Sequence, residues 1–392
     1  MENMATNTPP ILILTLFVLL CTTSFSVSLA AAGMLQRQGS SMNSIDRCWR
    51  RDTRWAANRQ QLASCSVGFA GKMINNGGRG LRWYVVTDAG DSPASPQPGT
   101  LRYGATMIAG KVWITFARDM QIKLERPLLV SSFTTIDGRG AVVQIAGGCG
   151  FVLDKVHDVI IHGLHFHHNR ATPAAVGPVA APGGKTKDLW GADGDAIRLI
   201  SSSKIWIDHN TLFTGEDGLI DVTRGSTDIT ISNNWFRDHD KVMLLGHDDG
   251  FSEDRRMRVT VAFNRFGPNC NQRMPRIRHG YAHVANNLYE GWKIYAIGGS
   301  MNPKVKSEGN LFIAPPNQNK AVTWREAAGG EQWRWKSVND VFENGAFFGK
   351  TEIKGLNPGY DLWQRFTVGK ASSVRLWTKF AGALRCSSRT RC

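Results

Sequence analysis

Four aspartates carry the strongest chemical signal in the chain: Asp193 and Asp195 in an Asp-Gly-Asp triplet, Asp217 and Asp221 in Asp-Gly-Leu-Ile-Asp. Asp217 follows Asp193 by 24 residues and Asp195 by 22, which is one turn of the repeat described below. Carboxylates brought together repel one another unless a cation neutralises them. An all-oxygen donor set without His or Cys suits a hard ion of flexible geometry, so calcium leads and magnesium follows. Any one of these residues alone reads as an ordinary turn aspartate. Their company changes that reading. Lys241 recurs at the phase of Asp217 one turn later, and residues 272–280 read Gln-Arg-Met-Pro-Arg-Ile-Arg-His-Gly. Arg273, Arg276 and Arg278, with Pro275 breaking the strand between them, make a rigid cationic row. Arginine grips carboxylates bidentately. An acidic nest beside a cationic row describes a groove for a polymer of carboxylates, with calcium bridging polymer and protein.

Bulk composition agrees. Lys and Arg number 47 against 32 Asp and Glu, and the formal charge of +15 points to an acidic partner: nucleic acid, anionic membrane or acidic polymer. Nucleic acid fits poorly, because the chain has neither a recognition helix nor a stacking-sheet motif, and aspartates on the same flank repel phosphates. A hydrophobic content of 42% with 41 glycines excludes disorder and collagen. Two weaker signals take bland readings. His162, His165, His167 and His168 read as turn and strand-end residues rather than metal ligands. Asp248-Asp249 has the form of a hydrolytic carboxylate pair, but the charged run after it reads as a loop.

The elements that must hold these residues are visible as a repeat. A β-branched residue, two variable residues, an Asn and then an aromatic recur as Ile207…Asn210…Phe213, Ile231…Asn234…Phe236, Val261…Asn264…Phe266 and Val284…Asn287…Tyr289, with a last copy at Asn310-Leu-Phe312. The Asn spacings are 24, 30, 23 and 23. A period in the low twenties with short strands between Gly/Asn/Asp turns predicts an all-β parallel β-helix, a solenoid. Leucine-rich repeats share the period but need repeated Leu positions that are missing. Each Asn is expected to tolerate a left-handed turn and to bond the Asn of the next coil. Ile160–Leu164 reads as an earlier coil, and residues 171–184 as a Gly/Pro/Ala-rich loop. Strand alternation sends Ile220, Val222, Val242 and Leu244 inward and leaves Asp217, Leu219, Asp221, Thr223, Lys241 and Met243 outward. The Trp-rich segment 324–335 is expected to cap the open C-terminal end.

Around the solenoid, residues 1–30 read as a signal peptide. Its apolar run 11–21 is too short to span a bilayer, and Ser28-Leu29-Ala30 suits cleavage. The protein is thus expected to be secreted, with no membrane association after signal removal, and monomeric. Residues 31–80 form an N-terminal segment with a short helix near Trp55 to Leu62 capping the solenoid, 81–345 the solenoid, and 346–392 a tail packing on or capping it. With Cys21 removed, Cys48 with Cys65 and Cys386 with Cys392 look like local staples on the chain ends. Cys149 and Cys270 are left paired or free, and the lack of CxxC argues against structural zinc.

With these residues in place, the chain resembles the plant pectate lyases of polysaccharide lyase family 1, of the pollen type related to pollen allergens. The matching stretches are Ile45-Asp-Arg-Cys-Trp49, Thr135-Ile-Asp-Gly-Arg-Gly140, Asp193-Gly-Asp-Ala-Ile197, Ile205-Trp-Ile-Asp-His-Asn210, Asp217-Gly-Leu-Ile-Asp221, Lys241-Val-Met-Leu-Leu-Gly246, Gln272-Arg-Met-Pro-Arg276 and Tyr295-Ala-Ile-Gly-Gly-Ser300. Arg51 and Ile277 stand where the family often has cysteine. The resemblance implies a right-handed parallel β-helix and calcium-dependent β-elimination of de-esterified homogalacturonan, in pectin degradation and cell-wall remodelling. It implies Asp193, Asp217 and Asp221 as calcium ligands with Asp195 in the same cluster, and Arg273 as the group that removes the C5 proton. It implies Lys241 and Arg278 as holders of substrate carboxylates, with Arg276 of the same row beside them. Arginine is ordinarily protonated at neutral pH, so an arginine base implies an alkaline optimum. A pectin-binding, allergen-like wall protein with weak or no catalysis and a polygalacturonase-type hydrolase are the competing functions.

Overall fold

The computed structural model describes residues 41–392 apart from 174–176, 190, 317–318, 327–333, 350–354 and 389. The signal peptide expected over 1–30 lies outside the described residues. Three long sheets of ten, nine and eight strands form the faces of a solenoid. One turn runs through Ile197–Ile200, Ser203–Asp208 and Thr211–Phe213, the next through Ile220–Thr223, Thr227–Ser232 and Trp235–Arg237. Each strand pairs in parallel with its counterpart one turn away: Ile197 with Ile220, Ile205 with Ile229, Thr211 with Trp235. This is the parallel β-helix that the repeat predicts.

The residues that recur do so because they stack on themselves. Asn210 donates to Asn234, Asn234 to Asn264, Asn264 to Asn287 and Asn287 to Asn310, at 3.0–3.1 Å, and Asp340 terminates the ladder. The left-handed residue is not the ladder Asn but the one before it: His209, Asn233, Phe263, Asn286 and Gly309 have φ between 51° and 63°. Inside, Phe236, Phe266, Tyr289, Phe312 and Phe342 form a column with ring centroids 4.5–5.6 Å apart, close to the strand spacing. The long Asn spacing of 30 residues accommodates an excursion with a 3₁₀ turn at Ser252–Arg256.

Several local expectations change. Strand parity fails after Lys241, because the chain turns a corner at Val242. His239–Lys241 belongs to one short sheet and Met243–Leu245 to the eight-stranded one. Met243 is therefore buried in the core and Leu244 takes the outward position, aligned with Asp221. Leu219 and Thr223 are buried rather than outward. Part of the 171–184 loop is an antiparallel hairpin, Pro178–Ala181 with Lys185–Asp188, turned by Pro182-Gly183-Gly184. The N-terminal helix lies earlier than expected, at Ser44–Trp49 with Asn43 as its cap, and Arg59–Ser64 is 3₁₀. Thr323–Arg325 and Arg334–Val338 join the ladders as a further coil, so the described ends of the Trp-rich segment extend the solenoid instead of lidding it.

A second core lies outside the ten-stranded sheet. Ile45, Trp49, Trp55 and Leu62 pack on Trp113, Ile160, Trp206 and Phe263. The C-terminal tail closes over the same face: the Trp55 indole donates to the Ser387 carbonyl, and the Gly382 amide to Asn233. Cys48–Cys65 and Cys386–Cys392 are disulfides in this layer, while Cys149 and Cys270 are free and buried.

Candidate active site

Register in the eight-stranded sheet builds the candidate site. Its outward row runs Val152, Arg198, Asp221, Leu244, Arg276, Gly298 and Trp324. Asp193 and Asp195 sit just before the strand Ile197–Ile200, and Asp217 just before Ile220–Thr223. The structure therefore sets the four aspartates on neighbouring turns, near enough for the other three to act on Asp195, although no three of them bring ligand oxygens within 4.8 Å of one another. A Cβ on Gly194, between Asp193 and Asp195, would stand 3.3 Å from the Asp217 nitrogen. The Gly218 amide donates to Asp195 Oδ1 at 2.9 Å. A Cβ on Gly218 would stand 2.5 Å from Asp221 Oδ1 and 2.9 Å from Asp195 Oδ1, so only glycine lets the two carboxylates converge there.

Two oxygens of the nest are short of donors. Asp195 Oδ2 and Asp221 Oδ1 are buried without a hydrogen-bond partner among the described residues. Burial, then the charges of Asp221 and Asp193, push the Asp195 carboxyl far above the usual carboxylate range. Burial and Asp217 do the same to Asp221. Buried carboxylate oxygens that lack donors are what a bound cation would satisfy. All-oxygen, anionic donors suit a hard ion, so the residues fit calcium. Arg198, which the sequence reading missed, reaches into this nest, its Nη1 3.0 Å from both Asp193 oxygens. Its place one ladder step from Asp221, 23 residues earlier, was the available signal.

The cationic side is arranged around Arg273. Arg273 adopts φ +60°, the left-handed region that a side chain disfavours, at the corner between Cys270–Gln272 and Arg276–Ile277. Its carbonyl accepts the Met243 amide at 2.6 Å, and its Nε is buried without a partner. Arg273 is close enough for its charge to act on Asp221. Lys241 Nζ reaches Asp217 at 2.9 Å. Arg276 lies over the Trp324 ring and pairs with Glu326. Arg278 donates to the Gly246 carbonyl and pairs with Asp249, whose Oδ1 also accepts from Ser300. Asp249, read as a loop charge, is thus part of the row. Burial and then Arg276 push the Arg278 guanidinium below its ordinary range.

The four histidines do not form a site together. His162 instead joins Asp208 and His209 in a buried group whose ligand-type atoms lie within 4.8 Å of one another. The carboxylate at its centre is already engaged. Asp208 Oδ2 contacts both imidazoles, and Oδ1 accepts from Ser232 and Asn233.

A pectate lyase family profile matches residues 117–330. An Arabidopsis thaliana protein named "Probable pectate lyase 16" is 50% identical over 353 residues, covering 90% of this chain and 88% of its own. Pectate lyase 1 of Cryptomeria japonica is 47% identical over 360 residues, covering 89% and 94%. The crystal structure of jun a 1, the major allergen from cedar pollen, superposes with a TM-score of 0.82 at 47% identity, covering 87% of this chain and 99% of its own.

Proposed function

The chain belongs to the pectate lyase family, and on that premise we propose that it cleaves de-esterified homogalacturonan by calcium-dependent β-elimination. The observation that carries this reading is the pair of buried, donor-less oxygens of Asp195 and Asp221 beside the arginine row. Asp193, Asp195, Asp217 and Asp221 would hold the calcium. Bound there and shared with a uronate carboxylate, the ion would neutralise that carboxylate and make the adjacent C5 proton more acidic.

The chain's own residues divide the remaining work. Lys241, Arg276 and Arg278 orient successive carboxylates of the polymer, exchanging their internal partners Asp217, Glu326 and Asp249 for substrate. Arg273, entering the step as the neutral guanidine that alkaline conditions favour, takes the C5 proton. The C5–H electrons form the C4–C5 double bond, the C4–O bond breaks, and the leaving oxygen takes a proton from water. Arg273 then returns its proton to solvent. The acidic polymer also accounts for the net positive charge. A monomeric protein acting outside the cell, in the wall where pectin lies, completes the proposal.

The test is to mix the protein with polygalacturonate and calcium. A lyase yields a double bond conjugated to the carboxylate, which absorbs in the ultraviolet, and chelation stops it. Reducing ends without that absorbance would show a hydrolase, and binding without either would show a wall-binding protein.

A further inference from the structure

Arg198 is the cation that reaches both Asp193 and Asp195 of the nest. Arg198 holds Asp193 through Nη1, but its Nε is buried without a hydrogen-bond partner and stands 4.0 Å from Asp195 Oδ2, which is equally unpartnered. Two orphans face each other across a gap too long for a hydrogen bond. We propose that Arg198 is the resident counter-ion of the carboxylate nest, displaced when a divalent cation binds, so that this one side chain sets the protein's cation affinity. The inference rests on the nest being the calcium site of the proposed function.

Three features support displacement over permanent pairing. The one bonded partner, Asp193, is half-exposed, and an exposed ion pair is weak. A divalent ion placed among these carboxylates meets a guanidinium a few ångströms away, and like charges in a partly buried site repel strongly. There is also room to move: a cavity of about 350 Å³ borders Arg198, walled by Asp193 and Asp195 on the nest side and by Val152, Asp154, Asp188 and Ile200 beyond them, where two further carboxylates could receive the guanidinium. Lys241, by contrast, is more exposed and touches the nest only at Asp217.

The experiment is calcium titration calorimetry on the full protein and on Arg198→Gln, Arg198→Lys and Asp221→Asn, with thermal melts of each. Arg198→Gln, which removes the charge but keeps much of the volume, should bind calcium about tenfold or more tightly. Without calcium it should melt below wild type, and it should gain more than wild type when calcium is added. Arg198→Lys keeps the charge and should stay near the wild-type affinity, so the pair remains informative if either variant folds poorly. Unchanged or weaker calcium binding by Arg198→Gln, with Asp221→Asn binding weakly, would overturn this inference and leave the calcium site standing. Calcium binding insensitive to Asp221→Asn would overturn both.

Discussion

Two groups of buried carboxylates lie on different faces of the same solenoid and differ in how they are paid for. Under the N-terminal helix, Asp137 accepts from Arg139, Arg59 and the Trp113 indole. Asp208 accepts from Ser232 and Asn233 and contacts both His162 and His209. Burial would raise both carboxyls, but the surrounding cations and donors outweigh it and hold them well below the ordinary range. In the outward nest the donors are fewer, with Asp195 Oδ2 and Asp221 Oδ1 left without one among the described residues, and burial and mutual repulsion leave Asp195 and Asp221 raised. Burial alone therefore does not distinguish a structural carboxylate from a ligand-seeking one. The count of donors does.

The comparison breaks most visibly at Asp208. Asp208→Ala strands buried His209 and should cost about 3–5 kcal/mol of stability. Denaturant unfolding checks it, and a loss under 1 kcal/mol would mean that the network is ornamental. His209 gives the next largest effect. Burial lowers its pKa, but Asp208 and Asp46 prevail and lift it to about 9 from 6.5. Both states are protonated below pH 6.5; above it the unfolded chain loses its proton first. The stabilisation is thus full below 6.5 and lost as pH rises through about 9, a loss of about 3 kcal/mol. Unfolding curves at pH 6 and 10 measure it, and His209→Gln should flatten the difference. An alkaline optimum would accordingly be bounded by the loosening of this clasp.

The open cluster answers to chemistry instead of stability. Arg273→Lys keeps the charge but not the planar fork, and turnover should fall about 10²-fold or more with the melting temperature unchanged. A rate above about a tenth of wild type would move the base elsewhere. Asp221→Asn should raise the calcium needed for half-maximal rate about tenfold, with partial rescue at high calcium, because one anionic donor becomes neutral. Its calcium-free melting temperature should not fall, since a repelling charge has gone. A large drop would place Asp221 with the structural carboxylates.

Much of the fold could be read in advance because a solenoid makes local phase equal to spatial position. Asn210, Asn234, Asn264, Asn287 and Asn310 recur in sequence and bond one another in space. The same arithmetic gathered Asp193, Asp195, Asp217 and Asp221 and placed Lys241 beside Asp217. It misplaced Met243 and Leu244, because a corner at Val242 resets the alternation and nothing in the residue types marks it. It passed over Arg198 for the opposite reason: an arginine on an outward strand position looks like any solvated charge until its register with Asp221 is known.

The sequence by itself determined the period, the stacked interior and the chemical kind of the site, since each depends on residue type at a repeating phase. Tertiary structure decided which charges are satisfied. His209 is clasped because the N-terminal helix brings Asp46 to within 3.0 Å of its Nε2, and Asp195 is left short because no donor among the described residues lies within hydrogen-bond distance of its Oδ2. Whether a buried charge finds a partner depends on what a distant segment lays against it. Desolvation makes that outcome worth several kcal/mol either way, and no periodicity within the strand encodes it.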